Sequence, residues 1–142
     1  MPCPKKISYS HKERADIYRF CIDIYRLIYK DGYYGFYACR MSRYYFFLAF
    51  EYAAMKDAEN CLNALEEGTK FAVLDDTQPD GFYTSIIVNR LEHRREGTSK
   101  TYTCNTCCNV LSYLDNSKYD FIRDTERFKK VKKLLEEHSI LS

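Results

Sequence analysis

The sequence predicts an all-α fold, a solenoid of antiparallel helix pairs with about six helices in a single domain over residues 1–142. Three observations predict it. Between Tyr45 and Ala72, apolar residues recur with helical spacing, as Tyr45-x2-Leu48-Ala49-x2-Tyr52 and then Cys61-x3-Leu65-x2-Gly68. Ser10-x-x-Glu13 reads as a capping box, in which a hydroxyl and a carboxylate each satisfy an orphan backbone N–H at a helix start. Only three Pro and five Gly punctuate the 142 residues, which suits helices joined by short loops.

The elements follow in chain order. Residues 1–9 are expected to be a flexible N-terminal segment. Behind the capping box, Ile17, Phe20, Cys21, Ile24, Leu27 and Ile28 keep helical spacing and are expected to be the buried stripe of the first helix. Arg14, Arg19, Asp23, Arg26 and Lys30 lie mostly off that stripe, and Asp31-Gly32 ends the helix. The second helix is expected from near Gly35 to near Met55. Its run of Tyr and Phe also suits a strand, but Met41, Tyr45, Leu48, Ala49 and Tyr52 keep the helical period. Met55-Lys56-Asp57 makes a turn with Asp57 as N-cap. The third helix, 58–74, then has Cys61, Leu62, Leu65 and Ala72 as its core face. Residues 75–81 are a loop by composition. A helix is expected over 82–93, packing Ile86, Ile87 and Leu91, then a polar loop over 94–99. A short helix over 103–114 carries Cys107, Cys108, Val110, Leu111 and Leu114. Asp124 is expected to cap the last helix, which buries Phe128, Val131 and Leu135.

The pair at 42–74 resembles a tetratricopeptide (TPR) unit, whose signature runs Trp-x2-Leu-Gly-x2-Tyr, with small residues on the second helix. Tyr45 stands for the Trp, Ala49 for the Gly, and Cys61 and Gly68 fill small positions. Ala49 and Cys61 would let the two backbones approach, while Leu48, Tyr52 and Leu65 fill the space around them. A unit of this kind cannot bury its apolar face alone and stacks on neighbours, which presents surfaces to partners.

Composition excludes several functions. The net charge is +2 with 30% charged residues, so there is no basic excess to hold nucleic acid. No stretch approaches a membrane span, and the N-terminus lacks the apolar run of a signal peptide. Seven cysteines, with Cys21, Cys39 and Cys61 at small or apolar helical positions, point to reduced buried thiols in the cytoplasm. There is no phosphate loop and no nucleotide fingerprint, and no nucleophile stands beside a recognisable base. No enzyme activity and no cofactor are therefore expected. Cys104-x2-Cys107-Cys108 is the one metal-like spacing, with His93 the nearest fourth ligand. Structural zinc wants four ligands, and a second Cys pair is missing. Adjacent cysteines on a helix also diverge by about 100°. Thiols packed at a helix end are the simpler expectation. The lysines at 129, 130, 132 and 133 read as a solvated face.

Four stretches carry a wider resemblance: 30–37 (Lys-Asp-Gly-Tyr-Tyr-Gly-Phe-Tyr), the pair at 42–74, 83–92 (Tyr-Thr-Ser-Ile-Ile-Val-Asn-Arg-Leu-Glu) and 119–128. In order and spacing they resemble the C-terminal TPR-like regulatory region of XRE-type helix-turn-helix transcriptional regulators of Clostridia and related bacteria. The resemblance implies a bacterial transcription-regulation context and a non-enzymatic protein- or peptide-binding and dimerisation role. Such regulators start with a DNA-binding domain that has no counterpart here, so no direct nucleic acid binding is expected of these residues.

In a TPR-like pair the inner face of the first helix lines a concave groove. By the register above, Arg43, Phe46, Phe50 and Ala53 point there, with Asn89 and Arg90 on the next helix placed to bond a peptide. Phe46 and Phe50 oppose a carboxylate clamp and favour either a hydrophobic peptide or the chain's own first helix as occupant. The expected partners are thus a protein or short peptide and a second copy in a homodimer. A passive scaffold, or a zinc or redox sensor built on Cys104, Cys107 and Cys108, are the alternatives.

Overall fold

Ser10 caps α1 (His11–Ile28) as expected: its Oγ accepts from Glu13 N at 3.2 Å, and Glu13 Oε1 accepts from Ser10 N at 3.2 Å. The computed structural model describes residues 8–94 and 104–140, apart from the side chain of His93. The expectations for residues 1–7 and for the loop after Arg94 fall outside the described residues. The chain is mostly helical, in agreement with the all-α expectation. α2 spans Tyr37–Ala54 and α3 spans Ala58–Thr77, within a few residues of the expected bounds. Asp57 caps α3 by accepting from Asn60 N at 3.2 Å.

α2 and α3 run antiparallel. Ser42 Oγ donates to Gly68 O at 2.8 Å, and the Tyr45 and Phe71 rings stack at 5.8 Å. Gly68 is what lets them meet. A Cβ there would stand 2.9 Å from the Phe46 ring and 3.1 Å from Tyr45 Cβ. Ala49, Cys61, Leu65 and Ala72 are fully buried between them.

α1 lies antiparallel along the other side of α2. Its N-terminal end is fixed by Glu51, a buried carboxylate on α2. Arg14 Nε donates to Glu51 Oε1 at 3.0 Å, and His11 Nδ1 lies 2.6 Å from Glu51 Oε2. Truncating either partner would weaken the compensation of a buried charge, which is costly to leave unpaired. Toward the other end the interface is tyrosine on tyrosine: Tyr25 meets Tyr37 and Tyr44 at 5.4 and 5.9 Å, and Tyr29 meets Tyr37 at 5.2 Å.

This arrangement corrects the expected buried stripe of α1. Ala15, Ile22 and Tyr29 are buried, whereas Ile17, Phe20, Ile24 and Leu27 are exposed. At 100° per residue the two sets lie on faces about 180° apart. His11 and Arg14 share the buried side, so the pairing with Glu51 selects which apolar face turns inward.

The expected helix over 82–93 is also corrected. Gly81–Phe82 (β1) pairs antiparallel with Glu92–His93 (β2), and turns bonded Ser85 O to Val88 N and Val88 O to Leu91 N join them. Two causes act together. Ile86, Ile87 and Val88 are β-branched and poor helix formers. Tyr83 is wedged onto Gly35, which has φ +54° and no room for a Cβ against that ring. Tyr83 OH also accepts from Phe36 N at 3.0 Å. The segment is thereby held by one buried aromatic and not by an amphipathic face.

α4 (Thr106–Leu111) continues as two 3-10 turns, Ser112–Asp115 and Ser117–Ile122, in place of one helix to Leu114. Asp76, at the end of α3, accepts from Thr106 N and Cys107 N at 3.0 and 2.8 Å, so a carboxylate of one helix satisfies the orphan donors of the next. α5 (Glu126–His138) is capped by Thr125, not Asp124: Thr125 Oγ1 accepts from Phe128 N at 3.3 Å. Arg127 anchors α5 on α3, with a bidentate pair to Glu66 at 2.7 and 3.0 Å and bonds to Glu59 and Asn63. Asn105 fastens the C-terminal end, donating to His138 O at 2.7 Å and accepting from Ile140 N at 3.1 Å. Phe128, Val131 and Leu135 are buried as expected.

Candidate partner-binding surface

The groove expected on the inner face of α2 is largely occupied by the chain itself. Phe46 is 1% exposed and Ala53 0%. The Phe46 ring packs edge-on against Tyr113 at 6.0 Å and closely over Gly68. Phe50 is half-buried with Lys118 Nζ 5.2 Å from its ring centroid. What remains open is a pocket of about 180 Å³ between Phe46, Phe47, Phe50, Tyr113, Asn116 and Tyr119. Arg43 is exposed. Asn89 and Arg90 are exposed too, but on the turn between β1 and β2, beside the α1 side of the molecule. The six expected groove residues therefore do not share one cavity.

The cysteine cluster is divided in a similar way. Cys107 is fully buried and Cys104 and Cys108 are half-buried. Burial, followed by the bond to Asp76, pushes the Cys107 thiol far up. Cys104 Sγ contacts Asn109 Oδ1 at 3.4 Å, and its bond to Cys108 raises the Cys108 thiol. Among the described residues no group of three His, Cys, Asp or Glu is arranged to hold a metal. The His93 side chain lies outside them.

A different surface stands out. α1 leaves Ile17 43%, Phe20 65%, Ile24 41% and Leu27 73% exposed along one face. The spacing 17, 20, 24, 27 alternates three and four residues, the a/d seam of a coiled coil. A groove of about 480 Å³ runs beside this seam. Cys21, Ile24 and Ile28 form one wall, Ile87 and Val88 of the β1–β2 turn form the other, and Tyr25, Tyr29, Tyr37 and Tyr44 form the floor. Burial keeps the Tyr29 and Tyr44 phenols above the ordinary tyrosine range. Arg40 closes one edge, donating to Tyr25 OH at 3.1 Å.

The tyrosine floor was not foreseen from sequence. The signal was present: Ala15, Tyr18, Ile22, Tyr25 and Tyr29 keep a helical period of their own. It was masked by the stronger aliphatic period on the opposite face.

No family model, curated protein or solved structure matches the chain. No described helix is long and apolar enough to cross a membrane.

Proposed function

We propose that this chain is a non-enzymatic binding and dimerisation module that associates with a second copy through the exposed seam of α1. The observation that carries this reading is that seam: four large apolar side chains at coiled-coil spacing, turned away from the protein's own core. The apolar share of a standard interface is about 450–500 Å² per partner. The exposed parts of Ile17, Phe20, Ile24, Leu27 and Ile87 sum to the same order, roughly 400–500 Å².

The directions of the helices favour a TPR-like reading of the stack, which belongs to the same class of function. α2 and α3 are antiparallel. α3 and α5 run parallel, since Arg127 meets Glu59 to Glu66 while Leu134 lines a pocket with Thr69 and Lys70. The stretch 106–122 starts at Asp76, at the far end of α3. That alternation is what stacked helix pairs produce. The motif resemblance to XRE-type regulators adds a context in which dimer geometry would set half-site spacing on DNA. A cytoplasmic location fits the described cysteines, none of which is joined in a disulfide. Peptide sensing in the α2 groove has less in its favour, because Phe46 and Ala53 are packed by the chain itself.

Sedimentation equilibrium over a wide concentration range tests the proposal. A dimer is expected, with Leu27→Glu weakening it at least about 10-fold, since a charge would be buried in the seam. Leu27 is exposed, so circular dichroism of that variant should match the parent. A monomer at all concentrations would refute the proposal.

A further inference from the structure

We infer that the two α1 helices of this dimer pack antiparallel, crossing near Ile22 with Asp16 of each copy facing Lys30 of the other. The inference rests on the dimerisation proposed above and adds its geometry. With Ile17 and Ile24 as a positions and Phe20 and Leu27 as d positions, antiparallel packing pairs Ile17 with Leu27 and Phe20 with Ile24 of the second copy, in four a–d layers. The residues that precede the a positions, Asp16 and Asp23, then flank one edge, and Lys30 follows in the turn just past the C-cap Tyr29, at the end of α1 that antiparallel packing brings to Asp16 of the second copy. Across the two-fold axis Asp16 meets Lys30 twice, a complementary pair at each end. A parallel pair would set the same residues against Cys21 and Ile28 and gain no such attraction. The helix dipoles also oppose favourably only in the antiparallel case.

The chain leaves these charges available. Asp16, Asp23 and Lys30 are exposed and enter none of the ion pairs among the described residues. The seam itself presents Phe20 and Leu27, its two most exposed members, at the d positions that sit inside the central and outer layers. Two consequences belong to this geometry alone. Asp23 approaches its own counterpart at the axis, so its charge opposes association. On the other edge Cys21 approaches its counterpart, with both thiols half-buried beside the groove.

The test is a set of exposed-site variants of the full chain studied by sedimentation equilibrium, together with disulfide cross-linking. Asp16→Lys is expected to weaken the dimer about 5-fold or more, and adding Lys30→Asp to restore it. Asp23→Asn is expected to tighten it about 3-fold or more. Mild oxidation with a copper–phenanthroline catalyst and oxygen should give a covalent dimer that Cys21→Ser abolishes. A Leu27→Glu-sensitive dimer with no charge-swap rescue and no Cys21 cross-link would overturn the antiparallel geometry while leaving dimerisation intact. A wild-type chain that never dimerises would overturn both. A dimer insensitive to Leu27→Glu would place the interface elsewhere and overturn both as well.

Discussion

Gly68→Ala is the sharpest probe of the helix pair at the centre of this molecule. On an isolated helix the change is favourable, by about 1 kcal/mol in propensity. Here the new methyl would stand 2.9 Å from the Phe46 ring, inside any normal carbon–carbon contact, and 3.1 Å from Tyr45 Cβ. The ring has little room to retreat: Phe46 is 1% exposed and Tyr113 lies edge-on behind it. Either α2 and α3 separate by several tenths of an ångström or the ring leaves its rotamer. Overpacking of this kind costs about 1–3 kcal/mol. Separation would also stretch the buried bond from Ser42 Oγ to Gly68 O, which contributes about 1 kcal/mol. The net expectation is a destabilisation of about 1–3 kcal/mol despite the better helix former. Urea unfolding followed by far-ultraviolet circular dichroism measures it. Phe46→Leu should be destabilising alone but relieve much of the Gly68→Ala penalty in the double variant, a coupling of about 1 kcal/mol or more. A Gly68→Ala chain as stable as the parent, or more stable, would refute the close-approach argument, and additive single effects would place the strain elsewhere.

Other outcomes follow from the same contacts. Tyr83→Phe removes an acceptor of Phe36 N–H in a part-buried setting, and should cost about 1 kcal/mol in the same unfolding assay. Gly35→Ala should cost more, because it adds a positive-φ penalty to a direct clash with the Tyr83 ring. Glu66 is held below the usual carboxylate range first by its bond to Arg127, so its folded value lies under the unfolded one. Its contribution is present above the unfolded pKa of about 4.3 and is lost as pH falls through the lower folded value. Unfolding midpoints should therefore drop between mildly and strongly acidic pH, and Arg127→Ala should flatten that drop. The effect will be small, since both side chains are more than one third exposed. Burial pushes the Cys61 thiol from 9.0 up to about 12, roughly a thousandfold less thiolate at a given pH. Iodoacetamide under native conditions should label Cys21 and Cys104 while sparing Cys61 and Cys107. Labelling of Cys61 at the rate of a free thiol would contradict the packing of α2 on α3.

The sequence by itself determined most of the helical frame. Ser10, Glu13 and Asp57 act within three residues of their targets, so the starts of α1 and α3 were legible. Small residues at 49, 61 and 68 within a regular period marked a close pair, and the structure buries them there. Local bonding and one-dimensional period are properties a sequence carries openly. The orientation of α1 was not legible, because the helix is apolar on two faces and periodicity cannot rank them. That choice was made by Glu51, some 40 residues away, which draws His11 and Arg14 inward and leaves Phe20 and Leu27 outside. The helix expected over 82–93 fails for a related reason: the segment's conformation depends on Tyr83 finding Gly35, a contact 48 residues apart in the chain. The candidate site moved for both reasons. The inner face of α2 is closed by Tyr113 and Gly68, and the surface left open lies on the helix face that hydrophobic period alone would have buried.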